Sequence, residues 1–103
     1  MSKKYGVGNA TVPSFPYPKT GLIVDEYGTK HWSLNGKYHR VDGPAFENAN
    51  GNKVWYLNGK YHREDGPAIE YANGTKSWYL NGEPLNCKTQ EEFEQLMRLK
   101  SFL

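Results

Sequence analysis

The stretch WYLNGKYHREDGPAIEYANGTKS, Trp55 to Ser77, repeats the 23 residues before it. Those residues, Trp32 to Val54, read WSLNGKYHRVDGPAFENANGNKV, and 17 of the 23 positions are identical. A third copy opens at Trp78 and keeps Leu80 and Asn81-Gly82. Upstream, Ile23 stands in phase with Phe46 and Ile69, and Lys30 with Lys53 and Lys76. The array is therefore two full units, 32–54 and 55–77, between half units 21–31 and 78–86. A unit this short cannot bury an apolar face alone, so its neighbours must cover it.

Within a unit the chemistry is that of hairpins. Asn-Gly between short apolar or aromatic runs is the strongest local hairpin signal, because a type I′ turn needs positive φ at both central residues. Five Asn-Gly pairs occur, at 35-36, 50-51, 58-59, 73-74 and 81-82. Lys53–Leu57 is predicted as the strand into one turn, with Trp55 and Leu57 on one face and Tyr56 on the other. Ala68–Ala72 is predicted as the strand into the next, with Ile69 and Tyr71 sharing a face. Asp65-Gly66-Pro67 marks a turn or break between them, since Pro67 has no amide hydrogen to donate. The expected fold is an all-β antiparallel meander of 23-residue hairpin repeats.

The ends differ. Residues 1–20 hold Pro13, Pro16 and Pro18 among aromatics, which suggests an extended arm laid on the sheet. Residues 87–103 change period. Thr89-Gln90-Glu91-Glu92 has the form of a capping box, and Phe93, Leu96, Met97 and Lys100 follow at helical spacing, with Leu103 close behind. An amphipathic helix of about three turns should cap the array there, as the last unit of a repeat stack requires.

Composition narrows the class. A chain of 103 residues is one small domain. Eight Tyr, three Trp and eleven Gly, with few aliphatic residues, suit aromatic-lined sheets rather than an aliphatic core. A net charge of +2 argues against a strongly polyanion-seeking protein. Cys87 is the sole cysteine, which fits a reducing compartment and predicts a cytoplasmic location. No apolar run is long enough for a signal core or a membrane span, so no membrane insertion is expected.

The pattern W-x-L-N-G-K-x-H-x-x-D-G-P-A-x-x-x-x-x-G-x-K resembles the MORN repeat over about Leu22 to Glu83. It departs in having Asp-Gly-Pro-Ala where typical units carry Gly-x-Gly. The H-R-x-D-G-P-A form is similar to MORN-variant repeats of bacteriophages and large viruses. The resemblance implies an extended, twisted antiparallel sheet serving as a non-catalytic interaction module. It also implies a phage-encoded protein acting in the host cytoplasm, of a kind that binds proteins or membranes and often self-associates.

His39, Arg40 and Asp42 recur as His62, Arg63 and Asp65. One reading is a ladder of imidazoles and guanidiniums holding a nucleotide or other phosphate. The other is that they build the unit: His donating to a turn carbonyl, Arg pairing with Asp, and Asp tying its own turn. A motif repeated in every unit favours the second, since catalytic sites are single and asymmetric. Zinc needs three or four ligands, and one thiol with three scattered histidines does not supply a convincing set. Cys87 precedes the helix cap, where a thiol pKa can be depressed, but no base is specifically placed to activate it. No enzyme activity, metal or cofactor is therefore expected.

Two surface features remain. Trp32, Trp55 and Trp78 form a stripe expected to be covered by the arm, the helix or a second copy. Tyr56 and Tyr79, with Ser33 in the first copy, suit either a recognition surface or cross-strand sheet pairs. Lys30, Lys53 and Lys76 recur with Glu47 and Glu70, predicting a mixed, solvated face. The functional expectation is a small binding module that docks on a host protein, such as a defence or processing enzyme, and inhibits or modulates it. Tyr56, Tyr79, His39, Arg40, His62 and Arg63 are its candidate binding residues. Sequestration of a nucleotide or nucleic acid, and self-assembly as a homodimer, are the alternatives.

Overall fold

A computed structural model describes residues 20–102. The arm expected over 1–20 lies outside the described residues except for Thr20, and so does Leu103. Eleven short strands precede one helix: β1 (Gly21–Val24), β2 (Lys30–Leu34), β3 (Lys37–Tyr38), β4 (Phe46–Glu47), β5 (Lys53–Val54), β6 (Tyr56–Leu57), β7 (Lys60–Tyr61), β8 (Ile69–Glu70), β9 (Lys76–Ser77), β10 (Tyr79–Leu80), β11 (Glu83–Pro84) and α1 (Gln90–Lys100). All pairings are antiparallel. The main sheet runs β1-β2-β4-β5-β8-β9, β3 pairs with β2, and β6-β7 and β10-β11 form separate ribbons. The expected meander is present, as is its C-terminal helix.

The predicted strands Lys53–Leu57 and Ala68–Ala72 are shorter than expected. The tryptophan is where pairing changes hands. Trp55 donates its amide to Ala68 at 2.7 Å and accepts at its carbonyl from His62 at 3.0 Å. Trp32 does the same with Ala45 and His39, and the Trp78 carbonyl accepts from Leu85. One side of Trp32 and of Trp55 thus belongs to the main sheet and the other to an Asn-Gly ribbon. Beyond Ala68, Pro67 has no donor to continue the ladder. At the other end Tyr71 already closes a turn, donating to Thr75.

The Asn-Gly pairs divide into two classes. Asn35, Asn58 and Asn81 have φ of 53°, 52° and 51°, and the glycines after them 82°, 81° and 84°, so these are type I′ turns. At 50-51 and 73-74 only the glycine is left-handed, with φ of 98° and 93°. There Gly51 donates to Asn48 and Gly74 to Tyr71, making three-residue loops with a glycine bulge. The expectation of positive φ at both residues is corrected at those two sites. Asp25–Thr29 makes the same loop, with Gly28 at φ 84° and no Asn-Gly pair to announce it.

Replacing Gly59 with Val should cost about 1–2 kcal/mol, the penalty for a left-handed L-residue. The added Cβ would meet Lys37 only at 3.6 Å, an ordinary contact, so the cost is conformational. Thermal melts test this, and an unchanged midpoint would reject the turn assignment.

The register also produces two ladders. Directly opposed pairs give Lys30–Glu47–Lys53–Glu70–Lys76, alternating in sign across the main sheet. Such pairs stabilise weakly, and together they make a balanced rather than a basic face. The neighbouring positions give Ile23–His31–Phe46–Val54–Ile69–Ser77. Burial increases toward the C-terminal end: Ala45 and Ala68 are fully buried, and Ile69, Trp78 and Phe93 complete the core. The helix secures that end. Thr89 Oγ1 accepts from the Glu92 amide at 3.1 Å, while the Glu92 carboxylate accepts from the Lys88 amide at 2.7 Å, one residue before the cap.

Candidate functional site

Each repeated His-Arg pair is bound into the unit that carries it. The Arg63 guanidinium carbon lies 3.8 Å from the Trp55 ring centre, and Arg40 lies 3.9 Å from Trp32. Arg63 Nε donates to Asp65 at 2.8 Å, and its Nη1 donates to the Pro67 carbonyl at 3.1 Å and Glu70 at 2.8 Å. Arg40 copies this with Asp42 at 2.9 Å and the Pro44 carbonyl at 3.1 Å, while Glu47 stands off at 3.9 Å. The hydrogen bond from Arg40, and then its charge, holds the Asp42 carboxyl below its usual pKa. A Cβ on Gly66 or Gly43 would fall 2.9 Å from the guanidinium carbon. Those glycines serve close approach, so the guanidinium sits between a glycine and an indole.

The arginines thus lie over Trp32 and Trp55, and the arm expected to help cover them falls outside the described residues. Trp78 is covered differently. The third copy has Leu85-Asn86 where His-Arg would stand. Gln90, from the first turn of α1, accepts from Trp78 Nε1 at 3.2 Å and donates to the Asp65 carbonyl at 3.1 Å.

The histidines link one unit to the next. Nδ1 of His39 accepts from the Asn58 amide at 3.0 Å, and Nδ1 of His62 from the Asn81 amide at 2.9 Å. This reverses the expected donation to a turn carbonyl. Accepting at Nδ1 places the ring proton on Nε2, and Nε2 of His62 meets Glu64 at 2.9 Å. His62 is buried. The expected pairing of Arg with Asp is present in both units, while the expected turn-tying by the same Asp side chains is not seen among the described hydrogen bonds. Asp25, Asn48 and Asn73 do the turn-tying, accepting from amides two residues on.

The tyrosines form one continuous row. Ring centres run from Tyr38 to Tyr56 at 5.0 Å, Tyr56 to Tyr61 at 5.1 Å and Tyr61 to Tyr79 at 4.9 Å, with planes tilted by 41° to 57°. Such distances suit tilted aromatic pairing. Tyr56 and Tyr79 are therefore rungs of a ladder, partly buried rather than freely exposed. Burial, reinforced by Tyr61, pushes the Tyr56 phenol up to about 12. Phe46 and His31 extend the row beyond Tyr38, which lies 6.3 Å from Phe46 and 5.8 Å from His31. Tyr38 and Tyr61 carry no expectation from sequence, and His31 enters there only as one of three scattered histidines. The signal existed: a two-residue turn at 58-59 forces Tyr56 opposite Tyr61.

His31 occupies the ladder position of Val54 and Ser77. Burial lowers its pKa, and the Asp25 carboxylate partly offsets this. The fold therefore favours the neutral ring, while the unfolded chain takes up the proton more readily. Stability is complete above the ordinary imidazole value of about 6.5 and falls as acid carries the pH below it. Replacing His31, which lies beside Tyr38 and Phe46, with the non-titrating aromatic Phe should flatten that acid limb. Melts across this range decide it, and parallel curves for the two proteins would reject the assignment.

Burial, and then the Glu92 carboxylate, raises the Cys87 thiol pKa, opposite to the activation that a helix N-terminus can give. Cys87 and the α1 residues Glu92, Leu96 and Leu99 line an open depression of about 430 Å³. Among the described residues no cluster of three or more His, Cys, Asp or Glu could hold a metal. No described helix is long and apolar enough to cross a membrane. Comparison with protein-family models, curated proteins and solved structures returns no match.

Proposed function

We propose that this chain is a non-catalytic binding module of MORN-like repeats, phage-encoded, which docks on a host protein and inhibits or modulates it. A defence or processing enzyme is the class of target. The observation that carries the reading is the division of labour between the two side-chain sets. The imidazoles and guanidiniums have hydrogen-bond partners within the array. The tyrosine row, by contrast, is aromatic, partly exposed and continuous over successive units. Interfaces favour such residues, because they bring large contact area with little side-chain entropy to lose. The viral origin rests on the resemblance of the H-R-x-D-G-P-A unit alone.

Phosphate sequestration is less well supported. An anion reaching Arg63 would face the carboxylates of Asp65 and Glu70, both already paired with it, and so meets a guanidinium whose charge is offset. Self-assembly has one observation in its favour. β1 is the outermost strand at its end of the described sheet, with Leu22 49% and Val24 52% exposed.

The test is affinity capture from a bacterial host extract with wild-type chain and with Tyr56→Ser and Tyr79→Ser, which install the residue that the first copy carries at Ser33. One stoichiometric host protein is expected, bound at least about tenfold more weakly by the Ser variants, the loss typical of an interface anchor. Equal retention by all three would remove the tyrosine row from the interface. A co-eluting nucleotide would favour sequestration, and turnover of a substrate dependent on His62 would end the binding reading. Sedimentation at several concentrations separates self-assembly.

A further inference from the structure

The outer edge of β9 repeats a seat that the main sheet fills twice elsewhere. β2 receives β4, and β5 receives β8. Each incoming segment reads Ala, a large apolar residue, then Glu: Ala45-Phe46-Glu47 and Ala68-Ile69-Glu70. On the receiving side a Trp amide donates to the Ala carbonyl, at 2.8 Å for Trp32 and 2.7 Å for Trp55. Two residues back, Lys30 faces Glu47 and Lys53 faces Glu70. An antiparallel ladder bonds alternate pairs, so each Lys and Glu exchange both backbone bonds.

The third seat has the same receiving residues, Lys76-Ser77-Trp78, with β8 paired along their inner side. β9 is the last strand of the main sheet. At the offset of the next incoming segment stand residues 91–93, Glu-Glu-Phe, and these are wound into α1. The Trp78 amide belongs to a residue 4% exposed and has no acceptor among the described hydrogen bonds. The charge ladder also stops unbalanced. Lys53 lies between Glu47 and Glu70, whereas Lys76 has Glu70 beside it, and Glu70 is bonded to Arg63 at 2.8 Å.

We propose that the outer edge of β9 docks an extended segment of a partner protein that reads small, large apolar, acidic, added antiparallel as one more strand. Its acid lies opposite Lys76 and exchanges two backbone bonds with it. Its apolar residue lies beside Ser77, and the carbonyl of its small residue accepts from the Trp78 amide. A small side chain is needed there, since Ala45 and Ala68 are fully buried at the equivalent places and α1 reaches the Trp78 indole through Gln90. A second copy of the chain fits worse. Its outermost strand β1 would bring Leu22 to Trp78 and Val24 to Lys76, where the array uses Ala and Glu. The seat uses none of the tyrosine row, so it is tested separately from that surface.

The test titrates the intact, 15N-labelled chain with a capped peptide, Asp-Gly-Pro-Ala-Ile-Glu-Tyr, the chain's own sequence at 65–71. Amide shifts and slowed hydrogen exchange should centre on Lys76 and Trp78. A peptide with Lys in place of Glu should bind about twofold to fivefold more weakly, the span of a cross-strand charge pair. Lys76→Gln, at an exposed position, should keep the fold and bind the two peptides equally. No response at β9, a response centred on β1 or on the tyrosine row, or discrimination between the peptides that survives Lys76→Gln would each overturn the proposal. So would concentration-dependent sedimentation that Lys76→Gln abolishes, since a second copy would then hold the edge.

Discussion

Phe93→Ala should lower stability by about 3–5 kcal/mol, the range for truncating a buried aromatic. Phe93 is 1% exposed and is the largest fully buried side chain among the described residues. It lies in the first turn of α1, close to the Gln90 side chain that bonds Trp78. Removing the ring therefore opens a cavity and weakens the helix that covers the third Trp. A domain of this size has about 5–15 kcal/mol in total, so the variant should melt far earlier. Denaturant titration followed by Trp fluorescence and helical circular dichroism measures it. Leu99→Ala is the control: the residue is on the same helix but 63% exposed, and its effect should stay within about 0.5 kcal/mol. A Phe93→Ala loss no larger than the control would mean that the array stands without its cap.

The repeat, the hairpins and the cap were legible because each rests on local chemistry. Asn58-Gly59 requires left-handed backbone, and Thr89 with Glu92 satisfies orphan amides at a helix start. The pairing of Arg63 with Asp65 was legible for the same reason, but the roles of His62 and Gly66, and the seat of Arg63 over Trp55, were not, because they depend on which groups the fold brings near. Nothing local shows that His62 will meet an amide 19 residues later. Gly66 looked like a turn residue and is instead the floor under a guanidinium. Gln90 stands in for a missing arginine from a different secondary structure, so no period could reveal it. The tyrosine row was half legible: Tyr56 and Tyr79 were singled out, but Tyr38 and Tyr61, which join them into a row, follow only when the two-residue turn is used to fix register.

Arg63→Ala should cost about 2–4 kcal/mol, and Arg40→Ala clearly less, on the scale of hydrogen bonds to charged groups. Both arginines lie over an indole and bond an aspartate and a proline carbonyl. They differ in the last partner. Glu70 is 2.8 Å from Arg63, and its side chain is 32% exposed, so truncating Arg63 leaves a partly desolvated carboxylate unpaired. Glu47 is 3.9 Å from Arg40, beyond hydrogen-bonding range, and loses little. Solvent reaches both networks, which keeps the estimate below that for a fully buried pair. Arg63→Lys should recover less than half of the loss. An ammonium can pair with Glu70, but it cannot lie flat on Trp55 while bonding Asp65 and the Pro67 carbonyl together. A double-mutant cycle of Arg63→Ala with Glu70→Gln isolates the carboxylate's share, and coupling should be present there and near zero for Arg40 with Glu47. Equal losses at the two arginines would show that the indole contact and the aspartate carry the unit and that Glu70 contributes nothing. Full rescue by Lys would show that charge, rather than the planar fork held between Gly66 and Trp55, is what the repeat selects.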